Sequence, residues 1–178
     1  MKKSWPNEED SPLRQQYDSA WFSQPGNFKK VSINSNDGHI ISGYLYKSDS
    51  HLYIVYAHGY GGYPEEKTKV LHFLSKECNA NVFILEQRGQ NGSDISYITM
   101  GVLEAGDLKN WCDYFVSLDP LARIVIYGQS MGAATVMTSF LYGLTNRVIG
   151  AIQDCGYVDL ISQYSFSGKG YAPKWLLY

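Results

Sequence analysis

The stretch ARIVIYGQSMGAAT, residues 122–135, decides the fold. It joins an apolar run, a Gly-x-Ser-x-Gly pentad and a series of small residues. The run "ARIVIYG" reads as a strand buried on both faces, as in a parallel sheet. The segment "SMGAATVMTSFLYG" reads as a helix opened by Ser130 and closed near Gly143. Between them the chain must turn sharply. Gly128 and Gly132 flank Ser130, where side chains would collide with the neighbouring strand and helix. Such a turn holds the Ser130 hydroxyl out at the carboxyl end of the sheet. It also aims a helix N-terminus at it, where partial positive charge stabilises a developing oxyanion. The plainer alternative is a serine N-cap with glycines for close packing.

The same alternation extends along the chain. "FKKVSINSNDGHIISGYLYKS" reads as a hairpin, because Asn36, Asp37 and Gly38 tolerate the backbone of a tight turn. "LYIVYAHGYGG" is a buried strand entering a glycine-rich loop. "EEKTKVLHFLSKEC" has helical spacing at Val70, Leu71 and Leu74. "ANVFILEQRG" is another buried strand. "VLEAGDLKNWCDYFVSL" sets Leu108, Trp111, Cys112 and Phe115 on one helical face. "RVIGAIQDCG" reads as a fourth buried strand. The expected class is α/β, a mostly parallel sheet flanked by helices on both faces, with the first two strands as an antiparallel edge. Residues 1–27 are expected to be a polar lead-in with one short helix near Leu13–Phe22. Residues 28–165 form the core, and 166–178 an interrupted tail.

Composition removes several function classes. The 178 residues are 44% hydrophobic and 18% charged, with net charge −2 and no long run of either sign. That suits a globular core and gives no footprint for nucleic acid or an anionic membrane. No apolar stretch is long enough to span a bilayer, and no apolar h-region follows the first lysines. The cytoplasm is the expected compartment. Cys78, Cys112 and Cys155 are widely spaced, which argues against a zinc site or a disulfide framework and predicts buried thiols. No metal or organic cofactor is indicated.

A serine nucleophile that forms tetrahedral intermediates needs two backbone donors. One is the Met131 N–H. The other is expected from the loop "HGYGG", residues 58–62, with Tyr60 N–H preferred and Gly61 the fallback. His58 and Gly59 lead this loop. His58 is expected to bond backbone and hold the loop's shape rather than act as a base.

The ordered motifs "AHGYGG", "EQRGQNGS", "GQSMGAAT" and "AIQDCGY" resemble the α/β-hydrolase superfamily. "YITMGVLEAGDLKNW" and "DCGY" resemble a bacterial branch of serine hydrolases related to the serine aminopeptidase S33 group. The resemblance covers residues 28 to about 165. It implies hydrolysis of a small-molecule ester, thioester or peptide through an acyl-enzyme, with Ser130 as nucleophile and Met131 and Tyr60 as oxyanion donors. "EQRGQNGS" stands where the family has D-x-R-G-H-G-x-S, with Glu86 for Asp, Gln90 for His and Asn91 for Gly. Asn91 tolerates the left-handed backbone and can keep the turn. Arg88 is expected to organise this loop by hydrogen bonds, and Glu104 and Asp107 to be structural at a helix start.

The family's triad runs Ser, then Asp or Glu, then His. Here the four histidines, His39, His51, His58 and His72, all precede Ser130. The resemblance therefore covers the N-terminal six-strand portion, with the last strands missing. Asp154 ends the sixth strand and is either an acid or a strand-end residue bonding nearby loop groups. Asp159 is the weaker alternative. A truncated hydrolase, weakly active or inactive, is the leading expectation. A non-catalytic binding protein that reuses the fold is the alternative, with self-association through the exposed sheet edge.

Overall fold

Runs of β-branched and aromatic residues place six strands side by side, and the helices between them cover the sheet. The computed structural model describes residues 20–64, 67–90, 93–159 and 163. The element order is β1 (Lys29–Asn34), β2 (Ile40–Tyr46), β3 (Leu52–Ala57), α1 (Thr68–Glu77), β4 (Asn81–Glu86), α2 (Leu103–Leu118), β5 (Arg123–Gln129), α3 (Met131–Ser139), a 3₁₀ turn (Phe140–Tyr142) and β6 (Val148–Asp154). The sheet order is β1-β2-β4-β3-β5-β6. The β1–β2 hairpin joins antiparallel to β4, while β4, β3, β5 and β6 run parallel.

The two-residue period of the central strands sorts the core. Tyr53, Val55, Phe83, Leu85, Ile124 and Ile126 face α2 and α3, meeting Leu108, Trp111, Phe115 and Val136. Ile54, Tyr56, Val82, Ile84 and Tyr127 face the other way, toward Leu71 of α1 and toward Trp21. Helices thus cover both faces. Trp21 lies in the stretch read as a polar lead-in, yet it is buried. It stacks on His72 of α1 with ring centroids 4.8 Å apart. Of the short helix expected near Leu13–Phe22, residues 13–19 lie outside the described residues, and 20–22 form a turn. The 166–178 tail also lies outside them.

Two expectations need correction. β6, read from its own residues as a buried strand, pairs among the described residues with β5 alone. Ile149 and Ile152 are 49% and 42% exposed, as at the exposed sheet edge that was also expected. Its apolar residues give it strand propensity, but propensity does not supply a neighbour. The thiols are not all buried either. Cys112 is, but Cys78 ends α1 at the surface and Cys155 follows β6 in the open. Among the described residues, no helix is long and apolar enough to cross a membrane, and no cluster of metal-ligating side chains occurs.

Candidate active site

The parallel strands β3, β4, β5 and β6 end on the same side, and the loops that leave them meet there. This is where an open α/β sheet carries ligands. β5 enters α3 through Ser130, whose φ of +52° and ψ of −115° are costly for a side-chain-bearing residue. The crossing is close. A Cβ on Gly128 would lie 2.1 Å from the Gly132 carbonyl oxygen, and one on Gly132 would lie 2.0 Å from the Ala57 carbonyl oxygen. Ser130 N–H donates to the Asp154 carbonyl at 2.8 Å, which ties the turn to the end of β6. The Ser130 carbonyl accepts from Ala133 and Ala134, starting the helix.

The loop after β3 lies against this turn. A Cβ on Gly59 would sit 3.4 Å from the Ser130 Cβ. His58 is buried, and its Nδ1 is 2.8 Å from the Gly59 carbonyl. Gly62 N–H donates to the Gly59 carbonyl at 3.1 Å, closing a tight turn over Tyr60 and Gly61. The Tyr60 side chain is 67% exposed at the rim. Gly61 N–H donates to Gln90 Oε1 at 2.6 Å. Among the described residues, the N–H groups of Tyr60 and Met131 have no partner. Two unpaired amides beside a strained serine can receive an oxygen that gains negative charge.

The loop after β4 braces the whole. Arg88 is buried and holds Asp107 of α2 through Nε and Nη2 at 2.8 and 2.6 Å. Its Nη1 reaches Asp37 in the hairpin turn at 2.8 Å and Tyr97 at 3.3 Å. Burial would pull the guanidinium down, but the carboxylates of Asp107 and Asp37 keep it charged. The hydrogen bond from Arg88 holds Asp37 well below the usual carboxylate range. Burial pushes Asp107 up, against the pull of the same arginine. Glu104 accepts from the Thr99 and Gly101 N–H groups while Thr99 accepts from Leu103 N–H, a reciprocal cap on α2. Glu86 is buried at the end of β4, with Tyr44 at 2.7 Å and Lys30 at 2.9 Å. Its carboxylate therefore serves the hairpin edge. Asn91 lies outside the described residues.

The Asp154 carboxylate meets Cys155 Sγ at 3.1 Å, Lys67 Nζ at 3.4 Å and Tyr127 OH at 3.5 Å. The Cys155 thiol and then Lys67 hold it below its ordinary value, against partial burial. Burial, with the Asp154 charge beside it, pushes the Tyr127 hydroxyl up to about 12. None of the four histidines is among its partners. His39 lies 3.5 Å from the Tyr97 hydroxyl, and His72 stacks on Trp21. His51 pairs with Asp119 at 2.8 Å beside a cleft of about 480 Å³ at the opposite end of the sheet. Asp159 is exposed past the end of β6. The structure thus brings Gly59 of the loop that carries Tyr60, and the Asp154 carbonyl, to Ser130. Lys67 joins the site without any motif in the sequence to mark it, while Gln87 and Tyr127 stand inside quoted stretches at positions given no role. For Gln90 the mark was its departure from the family pattern.

No protein-family model and no curated protein matches the chain. Solved structures do. The Pyrococcus furiosus esterase Pf2001 superposes with a TM-score of 0.68 at 23% identity, over 98% of this chain and 65% of that one. The α/β hydrolase GrgF from Penicillium sp. sh18 gives 0.64 at 16% identity, over 80% and 53%. An acylaminoacyl peptidase from Pyrococcus horikoshii gives 0.57 at 22% identity, over 82% and 26%. The chain therefore spans less than two thirds of the length of each of these relatives. Likeness at this level of identity concerns the backbone plan.

Proposed function

We propose that this chain, whose six strands and helices have the α/β-hydrolase fold, is the nucleophile-bearing part of a serine hydrolase of esters or peptides. The observation that carries the proposal is Ser130 itself: a positive-φ serine between β5 and α3, flanked by the unpaired N–H groups of Met131 and Tyr60. Strain of this kind persists where the surrounding structure enforces it, and it keeps the hydroxyl presented. In the reaction, Ser130 Oγ bonds to the substrate carbonyl carbon and gives its proton to a base. The carbonyl oxygen becomes an oxyanion held by Tyr60 and Met131. Collapse expels the alcohol or amine, which takes up the proton, and water then hydrolyses the acyl-enzyme. Solved neighbours that include an esterase and an acylaminoacyl peptidase keep both ester and amide bonds within the reading.

None of the four histidines is assigned as the base: all precede Ser130 in the chain, and they meet Tyr97, Asp119, the Gly59 carbonyl and the Trp21 ring. Asp154 then serves the site through its carbonyl rather than as the acid. Without an assigned base, this chain is expected to turn over far below a complete hydrolase, through slow attack by the unassisted Ser130 hydroxyl. Release of p-nitrophenol from p-nitrophenyl acetate tests this. We expect slow release that disappears in Ser130→Ala. Equal rates from both proteins would remove Ser130 as nucleophile, and a full hydrolase rate would require a base within the chain.

A second reading has its own observation. The open edge and apolar outer residues of β6 favour a binding protein that self-associates through that edge in the cytoplasm. Size-exclusion chromatography with light scattering tests it: a folded dimer without Ser130-dependent esterase activity supports it, and a folded monomer dismisses it.

A further inference from the structure

Two glutamines in the loop after β4 grip the loop after β3 from both of its ends. Gln87, which is buried, donates through Nε2 to the His58 carbonyl and accepts at Oε1 from Thr135 Oγ1 of α3 at 3.2 Å. Gln90, only 9% exposed, accepts the Gly61 N–H at Oε1 at 2.6 Å, and its Nε2 lies 3.9 Å from Met131 Sδ, again on α3. Each amide therefore spans from the oxyanion loop to the helix that follows Ser130.

The loop between them is a turn with a known weakness. Gly62 N–H bonds the Gly59 carbonyl, Gly61 has φ of +67°, and Tyr60 is not in the positive region. That combination is a type II turn, whose middle peptide, here Tyr60–Gly61, rotates to interconvert with type I. Rotation exchanges the direction of the Gly61 N–H with that of the Tyr60 carbonyl. The Tyr60 N–H belongs to the preceding peptide and is not turned by this rotation, but the bond to Gln90 anchors the loop that carries it. A buried acceptor bonded to Gly61 N–H opposes the rotation, because the Gln90 oxygen would be left unpaired.

We propose that Gln90 is a positioning residue that locks the Tyr60–Gly61 peptide, withholds the Gly61 N–H from the oxyanion and leaves the Tyr60 N–H to act with that of Met131. The proposal rests on the serine-hydrolase reading of Ser130, and its test separates the two. The full 178-residue chain, labelled with ¹⁵N, is followed by amide hydrogen exchange. Gly61 N–H is expected to exchange at least 10-fold more slowly than Tyr60 N–H. Phenylboronate is then added. A tetrahedral adduct on Ser130, seen by ¹¹B NMR, is expected to protect Tyr60 and Met131 and leave Gly61 as it was.

Gln90→Met, which keeps the length and removes the acceptor, is expected to abolish Gly61 protection and weaken the adduct about 10-fold or more. Gln90→Glu, which keeps an acceptor oxygen, is expected to retain Gly61 protection. Gly61 exchanging as freely as Tyr60 in the unaltered chain overturns the proposal, as does full boronate affinity in folded Gln90→Met. An adduct that survives Ser130→Ala, or none at all, overturns the nucleophile reading instead. The exchange measurement needs neither ligand nor variant, so it judges the lock even then and even if Gln90→Met fails to fold.

Discussion

At Ser130 the chain accepts an unfavourable backbone so that three neighbours can approach one another. Gly132 is the tightest of them, since its missing Cβ makes room for the Ala57 carbonyl of β3. Gly132→Ala is expected to destabilise the protein by about 3 kcal/mol, because the obstacle is backbone and cannot rotate away. The midpoint of urea unfolding measures it. Arg88 is a second single-residue device, joining the hairpin turn to α2 through Asp37 and Asp107. Asp37→Asn is expected to cost about 1 kcal/mol at neutral pH, allowing for the part of this carboxylate that water screens. The sign follows from Asp37 being held below its unfolded value, near 4. Its contribution is complete above the unfolded value and is lost as pH falls through the folded one. Thermal unfolding of the two proteins should therefore differ at pH 7 and converge in acid.

Among the elements, β6 differs most from its neighbours. It has the composition of a central strand and the surroundings of an edge. Ile152, half in solvent, and Ile124, fully buried on β5, make the comparison. Ile152→Lys is expected to change stability by less than about 1 kcal/mol and to reduce light scattering at high concentration. Ile124→Ala is expected to cost about 2–5 kcal/mol. Chemical unfolding and scattering read both. This is also where the local pattern, a buried strand, and the expected exposed sheet edge pulled apart. The hairpin at 36–38, the helices α1 to α3 and the buried strands β3, β4 and β5 follow from local periods and turn residues. Whether a strand has a second neighbour depends on the whole sheet, which no local pattern encodes. Likewise the glycines around Ser130 announced the turn. Lys67 beside Asp154, Asp37 beside Arg88 and Gln87 beside His58 are meetings of distant residues, visible only once the strands are ordered.

Across the whole molecule the three thiols report on packing. Cys112 lies in the core between α2 and the sheet, and burial pushes it up to about 12. Cys78 is exposed, while the Asp154 carboxylate beside the exposed Cys155 raises that thiol. Titration with an aromatic disulfide at pH 8 should show Cys78 reacting first and Cys155 more slowly, since the thiolate is the reactive form. Cys112 should react only on unfolding. Cys112 modified as fast as Cys78 in the native protein would contradict the packing of α2. The order of the chain carries one more consequence. The Ser130 N–H is anchored by the carbonyl of Asp154, at the far end of a strand that is made later. The turn gains that anchor only when the sixth strand emerges from the ribosome and slides in beside the fifth.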